Sequence, residues 1–392
     1  MDKKKILKLR SDSPTHENYV HFDNAGSSLM PDTVYNALSR YQQMERCLGG
    51  YAAQEKYIDL LQSFYTGVAD LIGAKPSEIA YMESATRAWC LAFYGLPLSE
   101  GDEVITHSSE FTSNYLSFLQ LSKRRGIKLR IADSDLTGQV DTESVRSLIT
   151  DKTKVIAITH VPAQTGLINP VLEIGEIAKS NNLIYVLDAC QSIGQLDVRV
   201  DKIGCDILTA TGRKYLRGPR GTGFLYVSER VLDQIEPQFI DLSVATFLAE
   251  DDFKFTSGTK RFETYESNFA GRAALATAIN YANQTGLKEI EERVLSLAGD
   301  LRKRLQSIPG IQMQDLGKQK SGIVTFTKSG VEETNIKPYF NKRQITISHI
   351  PAKYSPLDLD RRKISSVIRA SVHYFNLESE LDIFANAVDD LQ

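Results

Sequence analysis

Between about Ser77 and Val227 the chain alternates short β-rich runs with stretches of helical character, and that alternation restricts it to an α/β architecture. The runs are EIAYM (78–82), DEVITH (102–107), KLRIA (128–132), KVIAITHV (154–161), LIYVLDA (183–189), DILTAT (206–211) and GFLYV (223–227). Several are apolar on both pleat faces, as expected of a mostly parallel sheet covered by helices on each side. Ligands of such sheets bind beyond the carboxyl ends of the strands, so the residues just after these runs are the first candidates for chemistry.

After roughly Gly271 the pattern changes to long helical segments, AALATAINYANQTG and LKEIEERVLSLAGDLRKRLQSI, and then to shorter strand candidates, GIVTFT and QITISH. With 392 residues there is room for two domains. The expected division is an N-terminal segment, 1–20, packing with the smaller domain; a large domain, 21–284; and a small α+β domain, 285–392. Lys and Arg total 46 against 49 Asp and Glu, a net charge of -3, which gives no broad basic field for nucleic acid. The basic opening MDKKKILKLRSDSP lacks the apolar core of a signal peptide, and nowhere is there the run of about 18 apolar residues that a membrane span needs. The expectation is a cytoplasmic protein. Cys47, Cys90, Cys190 and Cys205 show no paired CxxC spacing, so reduced thiols are expected rather than disulfides or a metal site.

The densest chemical signal is TATGRKYLRGPRGTGFLYV (209–227), which follows a strand, sets Thr211 and Lys214 three residues apart and turns through Gly218, Gly221 and Gly223. These glycines suit positive φ angles and close backbone approach to a ligand. GxxxxGK[ST] is absent, so this is no P-loop, and taken alone the segment reads as a basic surface loop. Upstream, LIYVLDACQ ends a buried-looking strand on Asp188, with Gln191 three positions later. A carboxylate there needs a cation or hydrogen bonds to offset desolvation. A protonated pyridine nitrogen is such a partner; a helix N-cap is the alternative.

Together with FDNAGSSLMP (22–31), AITHVPAQTGLINP, LDACQSIGQLDV, RFETYESN (261–268) and RASVHYFN (369–376), these segments resemble, in order and spacing, the class V aminotransferase and cysteine desulfurase-like group of fold type I pyridoxal 5'-phosphate (PLP) enzymes. The resemblance spans nearly the full length. It implies that Lys214 carries PLP as a Schiff base and moves the substrate α-proton, that Asp188 pairs with the pyridine nitrogen, and that Gln191 approaches the phenolic oxygen. ESATRAW (83–89) implies a phosphate cup from Ala85 and Thr86 at a helix start, where free N–H groups favour an anion, completed by Thr211 and Arg213. Phe111 takes the position of an imidazole that stacks on the cofactor in many relatives; it can stack but cannot transfer a proton. Gln164 is implied to touch cofactor or substrate, Arg369 to grip the substrate α-carboxylate, and Asn24, Ala25 and Gly26 to close over that end. The resemblance also implies a homodimer in which 261–268 reaches the partner's cofactor.

The resemblance breaks in two informative ways. Persulfide-forming desulfurases carry a cysteine ahead of the carboxylate-binding arginine, whereas SHIPAKYSPLDLDRRKISSVIRAS has none. Glu266 also stands where desulfurases have a phosphate-binding threonine, and would need a cation such as Arg217 or Arg220. GGYAAQEKY (49–57), GRKYLRGPRGTG and RFETYE are most similar to the hercynylcysteine sulfoxide lyase-like C–S lyases. The expected activity is therefore β-elimination from a sulfur-bearing amino acid. Transamination, epimerisation, loop-cysteine-free desulfuration and PLP binding without turnover are the alternatives.

Overall fold

The computed structural model describes residues 1–13 and 19–392; residues 14–18 of the expected N-terminal segment lie outside the described residues. The seven apolar runs become one seven-stranded sheet: β1 (Ile79–Met82), β2 (Glu103–His107), β3 (Lys128–Ala132), β4 (Thr153–Thr159), β5 (Ile184–Asp188), β6 (Ile207–Thr211) and β7 (Gly223–Val227). Their spatial order is β1-β7-β6-β5-β4-β2-β3. Strands β2 to β6 pair in parallel, while β7 pairs antiparallel with both β6 and β1. No crossover helix separates β6 from β7, so the short connection turns the chain straight back. That connection carries Lys214.

Alternate residues of the inner strands enter two different cores, which is why those runs are apolar on both pleat faces. Tyr185 and Leu187 of β5 pack with Phe64, Val68, Ile174 and Ile279 from the helices Ile58–Ile72, Val171–Ser180 and Phe269–Thr285. Val186 joins Trp89, Phe93, Phe118 and Leu121 on the other face, from the helices Ala85–Gly95 and Thr112–Arg125. Trp89 is fully buried and its indole Nε1 donates to Ser117 Oγ at 2.9 Å, so its polar edge is satisfied inside the core. Only β3, at the sheet edge, alternates exposed and covered residues.

A second, antiparallel sheet runs Ile311–Met313, Ile323–Lys328, Ser366–Ser371, Ser348–Pro351 in spatial order. Its Val324, Phe326, Ile368 and Ala370 pack under Leu297, Leu301 and Phe384 of the helices Leu287–Gln306 and Glu378–Asp389. The chain start adjoins it: Val20–His21 pairs in parallel with Ile345–Thr346. Helix Lys3–Ser11 is pinned by Lys5 Nζ to the Thr285 carbonyl at 2.8 Å and by Arg10 to Glu380 at 2.7 Å. A hairpin, Ala245–Ala249 with Asp252–Phe255, holds Phe247 and Phe253 out in solvent. Among the described residues no helix is long and apolar enough to cross a membrane.

Candidate active site at the carboxyl edge of the sheet

The turn from β6 to β7 is held at its neck by Thr211 Oγ1 and the Gly212 amide, both donating to the Thr222 carbonyl, at 3.4 and 2.9 Å. The glycines divide the tasks expected of them. Gly221 adopts φ 74°, whereas Gly223 serves close approach: a Cβ there would stand 2.4 Å from the Ala210 carbonyl oxygen and 3.3 Å from Ser84. This brings the start of β7 against helix Ala85–Gly95, whose N-cap Ser84 accepts from the Arg87 amide at 3.1 Å. Ala85 is half-buried and Thr86 exposed, and their amides, in the first turn of the helix, have no intrahelical carbonyl to bond.

Arg217 overturns one expectation. Instead of meeting Glu266, it is buried at φ 62°, donates from Nε to the Leu29 carbonyl and from Nη1 to Tyr374 Oη, both at 2.8 Å, and also bonds Ser13 Oγ. Its guanidinium lies 4.3 Å from the Phe375 ring centre. Packing and hydrogen bonding to the chain start consume every edge of this cation, and among the described residues no ion pair involves Glu266.

Lys214 itself is half-buried. Burial pushes its pKa below the ordinary lysine value; Cys190 and Asp188 oppose that shift, and Arg213 and Arg369 reinforce it. A lysine so treated holds more of its amine in the neutral, nucleophilic form. Asp188, buried at the end of β5, accepts from the Cys190 amide at 2.9 Å through Oδ1 and from Asn114 Nδ2 at 2.8 Å through Oδ2. Gln191 Nε2 donates to the Ala25 carbonyl at 3.0 Å, while its Oε1 has no partner among the described residues.

The N-terminal loop is threaded through the same place. Arg213 Nη1 donates to the Gly26 carbonyl, the Ala25 amide to Ser371 Oγ at 2.9 Å, and Asn24 Nδ2 to the Ser371 carbonyl at 2.7 Å. Arg369, two residues earlier and buried, reaches Asp23 Oδ1 at 2.9 Å, Ser348 Oγ at 3.0 Å and the Ala163 carbonyl at 3.4 Å; its Nε is unpartnered. Gln164, next to Ala163, is buried. Phe111 is the N-cap residue of helix Thr112–Arg125, with its ring largely exposed. Contacts join Asn24, Ala25, Gly26, Gln191 and Arg213, and the charges of Asp188, Arg213 and Arg369 act on Lys214. A separate cavity of about 560 Å³, lined by Asp135, Asn169, Arg199 and Glu291 among others, contains none of them.

Three neighbours escaped sequence reasoning. Asp23 occupies one arm of Arg369, and Glu110 and Asn114 sit behind Asp188. Asp23 lies within FDNAGSSLMP, and Glu110 and Asn114 lie beside the candidate Phe111; a polar residue flanking a candidate is the signal that could have found them. Asp358, on the turn Pro356–Asp360, is buried and pushed up by burial, with Arg362 and Gln164 pulling its carboxyl the other way.

A doubly covered, mostly parallel sheet with a lysine turn at its carboxyl edge is the architecture of fold type I PLP enzymes. Residues 20–384 match the family model described as aminotransferase class-V, and the chain belongs to that family, whose cofactor is PLP. A probable cysteine desulfurase of Methanothermobacter thermautotrophicus is 27% identical over 98% of this chain and 97% of the relative. The cysteine desulfurase of Thermococcus onnurineus NA1, solved in its apo form, superposes with a TM-score of 0.91 and 28% identity, covering 98% of this chain and 97% of that one. The cystine C–S lyase C-DES, solved with its reaction product cysteine persulfide, shares the fold at a TM-score of 0.86 and 22% identity, covering 96% and 98%.

Proposed function

We propose that this chain is a PLP-dependent C–S lyase that releases sulfur from a cysteine-derived amino acid, or its sulfoxide, by β-elimination without a protein-bound persulfide. The residues present suit PLP. Lys214 offers an amine of lowered pKa for the aldehyde carbon, and Asp188 a buried carboxylate for the pyridine N–H. Gln191 Nε2 has a second proton for the phenolic oxygen. The Ala85 amide and the Thr86 and Thr211 hydroxyls, with Arg213, suit the phosphate; Phe111 offers a ring face, and Gln164 an amide beside Ala163. Bound there, PLP supplies an electron sink for the pair left behind when a Cα bond breaks.

The chain's own groups do the rest. Arg369 holds the substrate α-carboxylate in a two-pronged grip, its unpartnered Nε giving a second prong beside the arm shared with Asp23. Asn24, Ala25 and Gly26 wall that end. Lys214 removes the α-proton, the Cβ–S bond breaks with the electron pair leaving on sulfur, and water completes the release of pyruvate and ammonia.

The observation that carries this reading is the lack of a thiol in residues 348–371, ahead of and around Arg369. Of the four free cysteines only Cys190 adjoins Lys214, and burial, reinforced by Asp188, pushes its thiol well above the ordinary value. A thiol so held is a poor nucleophile at neutral pH. Replacing all four cysteines with serine or alanine is expected to preserve pyruvate and sulfur release from a panel of thiol, disulfide and sulfoxide amino acids. The names of the relatives and the position of Cys190 favour a second reading, desulfuration with Cys190 as acceptor. Loss of sulfur release on substituting Cys190 alone, with a persulfide mapped to it in the parent protein, would establish that one instead.

We also propose a homodimer. Phe247, 74% exposed, and Leu242, 77% exposed, lie on and beside the hairpin after β7, near the segment 261–268. Isologous pairing is the commonest way to cover such a surface. Light scattering is expected to give twice the mass of 43.8 kDa, and a fully active monomer would refute it. The four unpaired thiols suit a reducing compartment, the cytoplasm.

A further inference from the structure

Glu110 is buried beside the site, and no step above uses it. It lies in the loop between β2 and helix Thr112–Arg125 and is 3% exposed. Its Oε1 collects three donors: Thr159 Oγ1 at 2.5 Å, Asn114 Nδ2 at 2.8 Å and the Phe111 amide at 3.0 Å. Its Oε2 has no partner among the described residues. The same Asn114 Nδ2 donates to Asp188 Oδ2 at 2.8 Å, so one amide bridges two buried carboxyl groups.

A glutamine would satisfy these donors without placing a second acid against Asp188. Among the described residues, the groups around Glu110 provide no compensating charge. From β5 come Asp188 and Tyr185, from β4 the neutral Thr159, and from helix Thr112–Arg125 the neutral Asn114. Burial and the charge of Asp188 together push the Glu110 carboxyl up to about 7, so it is poised between its two forms. The missing counter-charge is the one Asp188 is assigned to bind.

We propose that Glu110 is a positioning residue that acts through Asn114 and Asp188, its negative charge raising the proton affinity of the cofactor's pyridine nitrogen. The proposal rests on the assignment of Asp188 to that nitrogen. Linkage makes the effect reciprocal: a pyridinium near Asp188 lowers the pKa of Glu110 by as much as ionised Glu110 raises that of the pyridinium. Loading the protein with PLP near neutral pH therefore drives the Glu110 proton off, and the second acid becomes part of the cofactor's counter-charge.

The test is E110Q, which keeps the size and removes the charge. Holoenzyme is reconstituted with PLP labelled with ¹⁵N at the pyridine nitrogen, and that signal is titrated. E110Q is expected to move the titration to lower pH by roughly one unit, the effect of one partly screened charge at this range, with an unchanged Tm. Independently, ¹³C carboxyl signals of the parent protein should show Glu110 titrating near neutral pH without cofactor and at lower pH with it. Superimposable ¹⁵N titrations in parent and E110Q, or a Glu110 carboxyl indifferent to PLP, would overturn the proposal. D188N separates the two assignments. If it leaves the nitrogen as in the parent, Asp188 is misassigned; if it strips the nitrogen of its proton while E110Q changes nothing, Glu110 alone is. Should E110Q fail to fold, the carboxyl measurement on the parent protein still decides.

Discussion

Replacing Lys214 with alanine is expected to abolish turnover, by a factor of roughly 10⁴ or more, in a protein that stays folded. The magnitude follows from the two tasks assigned to one amine, holding the cofactor and moving the α-proton; loss of a group of that kind typically costs about 10⁴- to 10⁶-fold. Folding is expected to survive because among the described residues no hydrogen bond is made by the Lys214 side chain, and the Arg217 amide still donates to the carbonyl of residue 214 at 2.9 Å. The pH dependence has a definite sign. The folded-state pKa of Lys214 is lowered, so the unfolded chain binds that proton more tightly. Below its lowered folded-state value the group therefore opposes folding in full, and the penalty fades as pH rises from there to the ordinary lysine value, above which it is gone. K214M, which keeps the aliphatic stem without the charge, is accordingly expected to hold or raise Tm at neutral pH while remaining inactive. Borohydride reduction and peptide mapping of the parent protein should fix PLP to the Lys214 peptide. Trapping of PLP within the K214A protein would show that another lysine is the carrier.

The second large effect is expected at Arg369. Removing one partner of a buried, hydrogen-bonded charge pair typically costs about 2 to 5 kcal/mol, roughly 30-fold to several thousand-fold at 1.4 kcal/mol per factor of ten. R369A should show this in KM for amino-acid substrates while retaining PLP absorbance. R369K should recover little, because an ammonium lacks the planar fork. Asp23 complicates the single substitution, since it loses its partner too. A double-mutant cycle with D23N isolates the substrate's share. If D23N restores most of the loss in R369A, the arginine chiefly neutralises Asp23; an unchanged kcat/KM in R369A would remove it from the site altogether.

The central sheet was legible because every strand but the edge strand β3 buries both faces, which leaves a largely apolar run in the sequence. KLRIA and GFLYV were read residue for residue, and the remaining five runs differ from the observed strands only at their ends. The hairpin at 245–255 was not read, because its side chains are largely exposed and its apolar residues cover no core of the same chain. Around the site, Lys214 and Asp188 stood out because one follows a strand and the other ends one. Asp23 and Glu110 did not, because their burial is created by segments far away in sequence: Arg369 in one case, Thr159 and Asp188 in the other. Arg217 failed for the same reason in reverse. In GRKYLRGPRGTG it reads as a surface cation, yet it is among the largest fully buried side chains, closed over by residues near both chain ends. Proximity along the chain reports what a loop contains; it does not report which way each charge turns.

The hydrogen bond from Asn24 to Ser371 joins residues 347 positions apart, and that from Ala25 joins residues 346 apart. During synthesis the β6–β7 turn therefore leaves the ribosome more than 150 residues before the strand that will roof it. The sheet contacts around Lys214 are available early, but the wall made by residues 23–26 and 369–371 must wait for the last closure, the slow kind that joins distant segments. A growing chain would present its amine in an open cleft, free to meet any aldehyde, and would gain selectivity for an amino acid only when its two ends meet.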